Sequence, residues 1–476
     1  MTRAFRPYKN YTERRTHSGE ANIPWLTSLP EHWEVIRSKR LFATRKERAR
    51  ANDEQLSATQ AYGVIPQKDF ESKVGRKVVR INQHLEKRAH VEPDDFVISM
   101  RSFQGGLERA WARGCIRSSY VVLNPSPLVH IDYFAHLFKS QDYISALQAT
   151  SNFIRDGQDL NFSNFCLVDL PLPPQEEQGL IGRFLDWKSA QINKFIRNKR
   201  RFIELLKEQK QNVINQAVTR GLDPKVKFKP SGVEWIGDIP EHWEIAPLKH
   251  LASINARVLP ESTDENYTFK YCDISSVGTG RLTGEPETLR FGQAPSRARR
   301  ILKKGDTILS TVRTYLKAVY YVADEVEDWI ASTGFAALTP KKEIHPPFLG
   351  LLIQSGNFIN RVIRESIGVA YPAIAETKLG TLHLAYPVSF EEQQEILEHI
   401  ADSSKAIDQA ITRTEREIEL MREYRTRLIS DVVTGQVDVR GIEVPEVAEE
   451  ELLALEEDTA ESDDVIDDEG DMDETD

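Results

Sequence analysis

The sequence predicts an α+β protein made of two copies of one module, each followed by a long helix, with the two helices paired antiparallel as a coiled coil about a pseudo-twofold axis. Three observations carry this. The segment WLTSLPEHWE at Trp25–Glu34 returns as WIGDIPEHWE at Trp235–Glu244. Each copy then passes through mixed, turn-rich sequence to a proline and a Glu-Glu-Gln triplet, Glu176-Glu177-Gln178 and Glu391-Glu392-Gln393. Beyond each triplet, apolar residues recur in heptads that match under a constant shift of 215 residues. Two copies are too few, and their period too long, for a solenoid.

Taken in order, the chain divides into a polar N-terminal arm (1–20), a first module (21–173), a first spacer helix (174–221), a linker (222–232), a second module (233–387), a second spacer helix (388–436) and an acidic tail (441–476). In the first module Lys77–Ile81, Phe96–Met100 and Tyr120–Leu123 are short β-rich runs bounded by turn residues. Phe134, Leu137, Phe138, Ile144 and Leu147 fall at helical spacing, which predicts a helix over Tyr133–Thr150. The second module repeats the order: strands at Thr307–Ser310, Val319–Val322 and Gly334–Leu338, then a helix over Pro347–Arg364.

The drift between the copies is informative. Trp33 to Trp243 is a shift of 210, Asp95 to Asp306 is 211, and from Pro125 to Pro340 onward it stays at 215. Length has therefore changed early in each module and not in the helices, which is how variable loops sit on a fixed scaffold. The seam predicted for the helices is Leu185, Ile192, Lys199, Leu206 and Val213 in the first and Ile400, Ile407, Thr414, Met421 and Leu428 in the second, with Phe195, Phe202, Ile411 and Ile418 as secondary positions. Ser389 and Glu392 have the spacing of a capping box, and Gly221 and Gly435 are suitable stops. Helices of about 45 residues would run about 65 Å at 1.5 Å per residue, holding a module at each end of a rod.

Composition narrows the class. The 476 residues are 40% hydrophobic and 28% charged, with no apolar run of membrane-spanning or secretory type, so the expected compartment is the cytoplasm. Cys115, Cys166 and Cys272 are scattered and lack metal-ligand spacing, so no metal site or disulfide framework is expected. The net charge of -11 conceals a division: from Glu443 onward there are 18 Asp or Glu and no Lys or Arg, leaving 62 basic against 55 acidic side chains elsewhere. The tail reads as a solvated polyanion, either solubilising or competing for the basic body.

A pseudosymmetric protein with two equivalent heads suits duplex DNA, whose half-sites on opposite strands are related by a twofold axis. Basic and polar side chains cluster at turns of both modules: Lys73, Arg76, Lys77, Arg101, Ser102 and Gln104 in the first, Arg297, Arg299, Arg300, Arg313, Tyr315 and Lys317 in the second. Arg and Gln can make bidentate contacts to guanine and adenine, while Lys holds phosphate. Each such residue alone is as compatible with solvated surface; their clustering at equivalent places favours a DNA interface. Trp33 and Trp243 read as core anchors rather than base stackers, and His32 and His242 as structural partners. No Asn/Asp-Pro-Pro-aromatic loop, cofactor-binding glycine loop, Walker lysine or nuclease carboxylate spacing is present, so no catalytic centre is expected. A coiled-coil adaptor with two protein-binding heads is the alternative, separable by salt-dependent duplex binding.

The duplicated W-[IL]-x-x-[IL]-P-E-H-W-E motif, the module, the proline-E-E-Q and the heptad helix, in that order twice over, resemble the specificity subunit of type I restriction-modification enzymes across residues 21–440. The resemblance implies a DNA-recognition subunit without catalysis of its own, whose two target-recognition domains read the halves of a gapped site. It implies that the paired helices set the gap and dock two methyltransferase subunits, that restriction/translocase subunits join them, and that S-adenosylmethionine, ATP and Mg are held on those partners. The acidic tail lies outside the pattern.

Overall fold

In the computed structural model, which describes residues 6–13, 25–26, 28–75, 77–78, 85–99, 102–150 and 161–447, the chain forms two compact units. One comprises residues 1–200 and 416–476, the other residues 201–415.

In the first unit a four-stranded antiparallel sheet is built from β1 (Phe42–Thr44), β2 (Phe96–Ile98), β3 (Glu108–Arg109) and β4 (Val121–Pro125) in the order β1-β4-β2-β3. Two helices follow, α1 (Ile131–Phe138) and α2 (Gln141–Gln148). The sequence pattern predicts one helix here, and the structure breaks it at Ser140. That residue turns extended, donates its hydroxyl to the Leu137 carbonyl (2.7 Å) and accepts from the Tyr143 amide (3.4 Å), acting as an N-cap for α2. The apolar spacing runs through the break, which is why periodicity alone misses it. The core is aromatic: Phe42, Phe96, Phe134, Phe138, Tyr143 and Phe165 are fully buried, with Phe42 5.3 to 5.8 Å from the rings of Phe96, Phe134, Phe138 and Phe165, several edge to face.

After α3 (Gln175–Arg220), the second unit repeats this frame. Strands β5 (Ala252–Ile254), β6 (Thr307–Ser310), β7 (Val319–Tyr321) and β8 (Phe335–Pro340) lie in the order β5-β8-β6-β7, followed by α4 (Pro346–Gln354) and α5 (Gly356–Glu365). Again the single predicted helix is two, broken at Ser355, the residue 215 after Ser140, which accepts from the Phe358 amide (3.4 Å). A second four-stranded sheet covers the early part of this module, with Thr268–Cys272 parallel to Trp329–Ser332 at its centre. The helix α6 (Phe390–Val433) closes the order.

Each unit contains an antiparallel pairing of parts of α3 and α6. In the first, Lys199 bonds Glu417 (2.7 Å) and Arg425 bonds Asn193 (2.7 Å), while Ile181, Phe184 and Leu185 share a core with Leu428, Val432 and Val433. In the second, Lys210 bonds Asp408 (2.7 Å) and Ile214, Ala217 and Val218 share a core with Ile396 and Ile400. Leu185, Ile192, Leu206, Ile400, Ile407, Thr414 and Leu428 are buried as seam positions. Three details differ from expectation. Phe195 and Phe202 are exposed, and their neighbours Ile196 and Ile203 take the secondary positions. Val213 and Met421 are only half-buried, and Ile214 replaces Val213. The cause is geometric: a strict heptad falls behind a straight helix by about 20° per repeat, so four repeats after Leu185 the inward position has moved on by about one residue. Lys199, a seam position in the heptad pattern, is a half-buried, ion-paired flank and not part of the apolar core.

Candidate nucleic-acid interface

The repeated motifs prove to be one latch. In the first unit the Trp33 indole donates to Glu177 Oε1 (3.2 Å), His32 Nε2 lies 2.8 Å from Oε2, and the Tyr8 hydroxyl donates to Oε1. In the second, Trp243 donates to Glu392 Oε1 (2.9 Å) and His242 Nε2 lies 2.9 Å from Oε2. The neighbouring glutamines do equivalent work: Gln178 accepts from the His130 amide (2.8 Å) and donates to the Pro173 carbonyl (2.9 Å), and Gln393 accepts from His345 (2.7 Å) and donates to Pro387 (2.8 Å). The PEHWE segment and the Glu-Glu-Gln helix start therefore recur together because the His and Trp of one bond the second Glu of the other. Trp33 and Trp243 are buried anchors. The capping box expected at Ser389 is half made: Ser389 accepts from the Glu392 amide (3.3 Å), but the Glu392 carboxylate is committed to Trp243 and His242.

Tyr8, which composition reads as part of a polar arm, is buried in this latch. Burial and the Glu177 carboxylate push its phenol well above the ordinary tyrosine range. The arm is held by residues that follow α6: the Asp438 amide donates to the Arg6 carbonyl (2.8 Å), and the Arg440 guanidinium lies 4.8 Å from the Tyr8 ring centroid.

A second duplicated pair orients the strands. Asp95, buried at the turn into β2, receives a bidentate fork from Arg45 (2.7 and 2.8 Å), and Asp306, at the turn into β6, pairs with Arg257 and also accepts from Thr339 Oγ1 (2.8 Å). These carboxylates are thereby engaged in holding the frame.

On that frame the candidate residues fall as follows. Arg313, Tyr315 and Lys317 are all exposed on the connection from β6 to β7, where Arg313 and Lys317 adopt left-handed backbone angles (φ 50° and 53°). Arg297, Arg299 and Arg300 lie at and along the strand Ala298–Ile301. Arg297 is exposed and bonds the Tyr271 hydroxyl (3.1 Å) and Asp273 (3.3 Å); Arg299 sits over the Phe291 ring (5.1 Å); Arg300 is largely buried against Glu376 (2.5 Å). The two groups approach through Thr333-Gly334, whose amide and carbonyl bond the Arg297 carbonyl (2.7 Å) and the Thr311 amide (2.8 Å). An Arg300 already paired and covered is the weakest candidate of this set.

In the first module Lys73, near the end of the helix Gln67–Val74, lies 4.9 Å from the Tyr62 ring centroid, and Lys77 is exposed. The β2–β3 connection carries an exposed Gln104. Ser102 is a correction: it is fully buried and its hydroxyl accepts from the Ser99 amide (2.9 Å), shaping the loop from inside. Arg76 and Arg101 lie outside the described residues, as do Met100 and Val79–Ile81 of the predicted strands and the acidic tail beyond residue 447. What sequence reasoning missed is the hairpin at residues 366–374, whose Ala373 pairs with Val312 beside Arg313. Its apolar letters look like core, and only the structure shows them outside.

Residues 240–420 match the model of the type I restriction modification DNA specificity domain, from the PEHWE proline through most of α6. That match, to the second module and its helix, is to the family of DNA specificity domains that the repeated motifs resemble. Over 423 residues the chain is 24% identical to the type I restriction enzyme MjaVIII specificity subunit of Methanocaldococcus jannaschii, covering 87% of this chain and 95% of that one. The EcoKI specificity subunit of Escherichia coli is 29% identical over 164 residues, 32% of this chain and 34% of that one. In fold it is similar to a solved chain of a type I restriction-modification system (TM-score 0.57, 14% identity, 86% of this chain and 99% of that chain). No helix among the described residues is long and apolar enough to cross a membrane.

Proposed function

We propose that this chain is a specificity subunit that reads a gapped, bipartite duplex site, one half through each module, and directs adenine methylation and restriction carried out by other chains. The observation that carries this reading is the repetition of one sheet order, one latch and one Arg–Asp brace in both units, with exposed candidates on the connection after the second sheet strand in sequence each time, Gln104 in the first and Arg313, Tyr315 and Lys317 in the second. A frame repeated faithfully under loops that differ is what two half-sites of different sequence require. In that role Arg313, Lys317, Lys73 and Lys77 contact phosphate or base edges, and Gln104 is placed to read adenine.

Both units draw on α3 and α6, so in this reading the helices fix the gap. Their exposed apolar side chains, Phe195, Phe202 and Leu205 on α3 and Leu420 and Tyr424 on α6, suit the docking of two methyltransferase subunits, to which the restriction/translocase subunits add. S-adenosylmethionine, ATP and Mg belong to those partners, and this chain performs no catalysis; it acts in the cytoplasm, where the DNA is. The test is to map modified adenines in a host with and without the chain. A two-part motif with a fixed gap that disappears with the chain is expected. Modification independent of the chain, or a motif without a gap, would overturn the reading.

A further inference from the structure

We infer that the hairpin at residues 366–374 is an apolar wedge that enters the target duplex and opens one base step in the half-site read by the second module. This rests on the DNA reading above and goes beyond it, since loop contacts to base edges need no distortion of the duplex.

The first argument is exposure. Among the described residues the three most exposed large apolar side chains are Ile367 (85%), Val369 (fully exposed) and Tyr371 (66%), alternating within five residues; every other large apolar side chain named as exposed is 53% or less. Single exposed apolar residues are ordinary, but three on one prong form a patch that stabilises the protein only when covered.

The second argument is stiffness. Ile367 and Ala373 exchange both backbone hydrogen bonds (2.8 and 3.0 Å), and the Ile374 amide donates to the Thr311 carbonyl (2.9 Å). Thr314 and Ser366 join their hydroxyls at 2.9 Å. Within the turn Gly368 holds φ +121°, and a Cβ there would lie 3.0 Å from the Tyr371 carbonyl oxygen, so the tight tip depends on glycine. The prong is thus fixed at its root, and little ordering entropy remains to be lost on insertion.

The third argument selects the occupant. Arg313 stands over the Tyr371 ring (4.9 Å), and Lys317 lies at the far end of the same connection. Neither forms an ion pair with a carboxylate among the described residues, although ion pairs are common elsewhere in this unit. An apolar tip beside a cation that has no carboxylate partner, with a second such cation on the same connection, complements a polyanion with an apolar interior, which describes stacked bases between two phosphate strands. Insertion of an aliphatic side chain between base steps costs a few kcal/mol of stacking and is cheapest at flexible pyrimidine–purine steps. The wedge would therefore add a shape preference at a step that no polar side chain touches.

The test uses the full chain alone, so that no methyltransferase extrudes a base, and duplexes carrying the mapped site with 2-aminopurine at successive positions of each half. A rise in emission at one step of one half-site is expected on binding. Val369→Asn and Ile367→Asn, both at exposed positions that leave the thermal melt unchanged, should abolish that rise and weaken binding about tenfold, the scale of one lost aliphatic burial. Lys317→Ala should weaken binding and flatten its salt dependence while the saturated complex keeps the emission. Flat emission at every step of a duplex that the chain binds, or emission untouched by the hairpin variants, would overturn the wedge and leave DNA recognition standing. Failure of the unaltered chain to bind the mapped site would remove the DNA reading, and the wedge with it.

Discussion

The two modules share a frame but not a filling. Where the first has Phe42 the second has Ala252, and where the first has Phe165 the second has Gly380, yet Phe42 faces Pro125 and Ala252 faces Pro340 in the same register of the same sheet order. Phe134 and Phe138 correspond to Leu349 and Ile353, so an aromatic core in one module is largely aliphatic in the other. By contrast the Trp–Glu latch, the glutamine contacts and the serine break recur with matching partners. Apolar packing is non-directional, and different side chains can fill an equivalent space. Hydrogen-bonded pairs are directional, and removing either partner leaves a buried group unsatisfied. The difference teaches that the polar pairs hold this architecture together across the duplication while the cores are free to diverge.

Three pairs of substitutions in matched positions sharpen that contrast, read by denaturant unfolding of the full chain. The largest effect is expected for Arg45→Ala, about 4 kcal/mol, because Asp95 is left buried with only the Glu92 amide (2.8 Å) among its described partners. Arg257→Ala should cost less, about 2 kcal/mol, since Asp306 keeps both Thr339 and the Lys303 amide. Equal losses would show that the two braces are not distinguished by their remaining partners. Next comes Glu177→Ala, at about 3 kcal/mol, which strands the buried Tyr8 and Trp33 donors; Glu392→Ala strands only Trp243, its His242 being exposed, and should cost about half as much. A Glu392 variant as damaged as its counterpart would mean that Tyr8 adds nothing to the first latch. Ser140→Ala and Ser355→Ala should each cost about 1 kcal/mol, the usual value of an N-cap, and by the same amount in both modules. A marked difference there would show that the helix break depends on the surrounding core.

The long helices were legible because 46 and 44 residues of apolar periodicity leave no competing assignment. The duplication itself exposed the fold class, since equivalent letters must occupy equivalent places. Pairings were less legible: His32, Trp33 and Glu177 are conspicuous as motif members, but nothing in a linear pattern says that residues so far apart bond one another. The serine breaks escaped because Phe134, Leu137, Ile144 and Leu147 keep a helical rhythm on both sides of Ser140. Phe195 and Phe202 misled for a related reason, as a strict seven-residue template drifts off a straight helix and picks the wrong neighbour of Ile196 and Ile203. The exposed hairpin was invisible because β-branched and aromatic letters signal burial on average, and only tertiary structure shows where that rule is broken.

One unit is a continuous stretch, residues 201–415, whereas the other is assembled from residues 1–200 and 416–476, with Leu428, Val432, Val433 and Val439 completing its core. Translation runs from the N-terminus, so the whole continuous unit is synthesised before the residues that finish the earlier one. The first module must therefore wait, its aromatic interior incompletely covered, while the second matures. A nonsense codon anywhere before Leu428 would leave that early half without its last core residues, which makes the final helix turns a checkpoint on the integrity of the whole polypeptide.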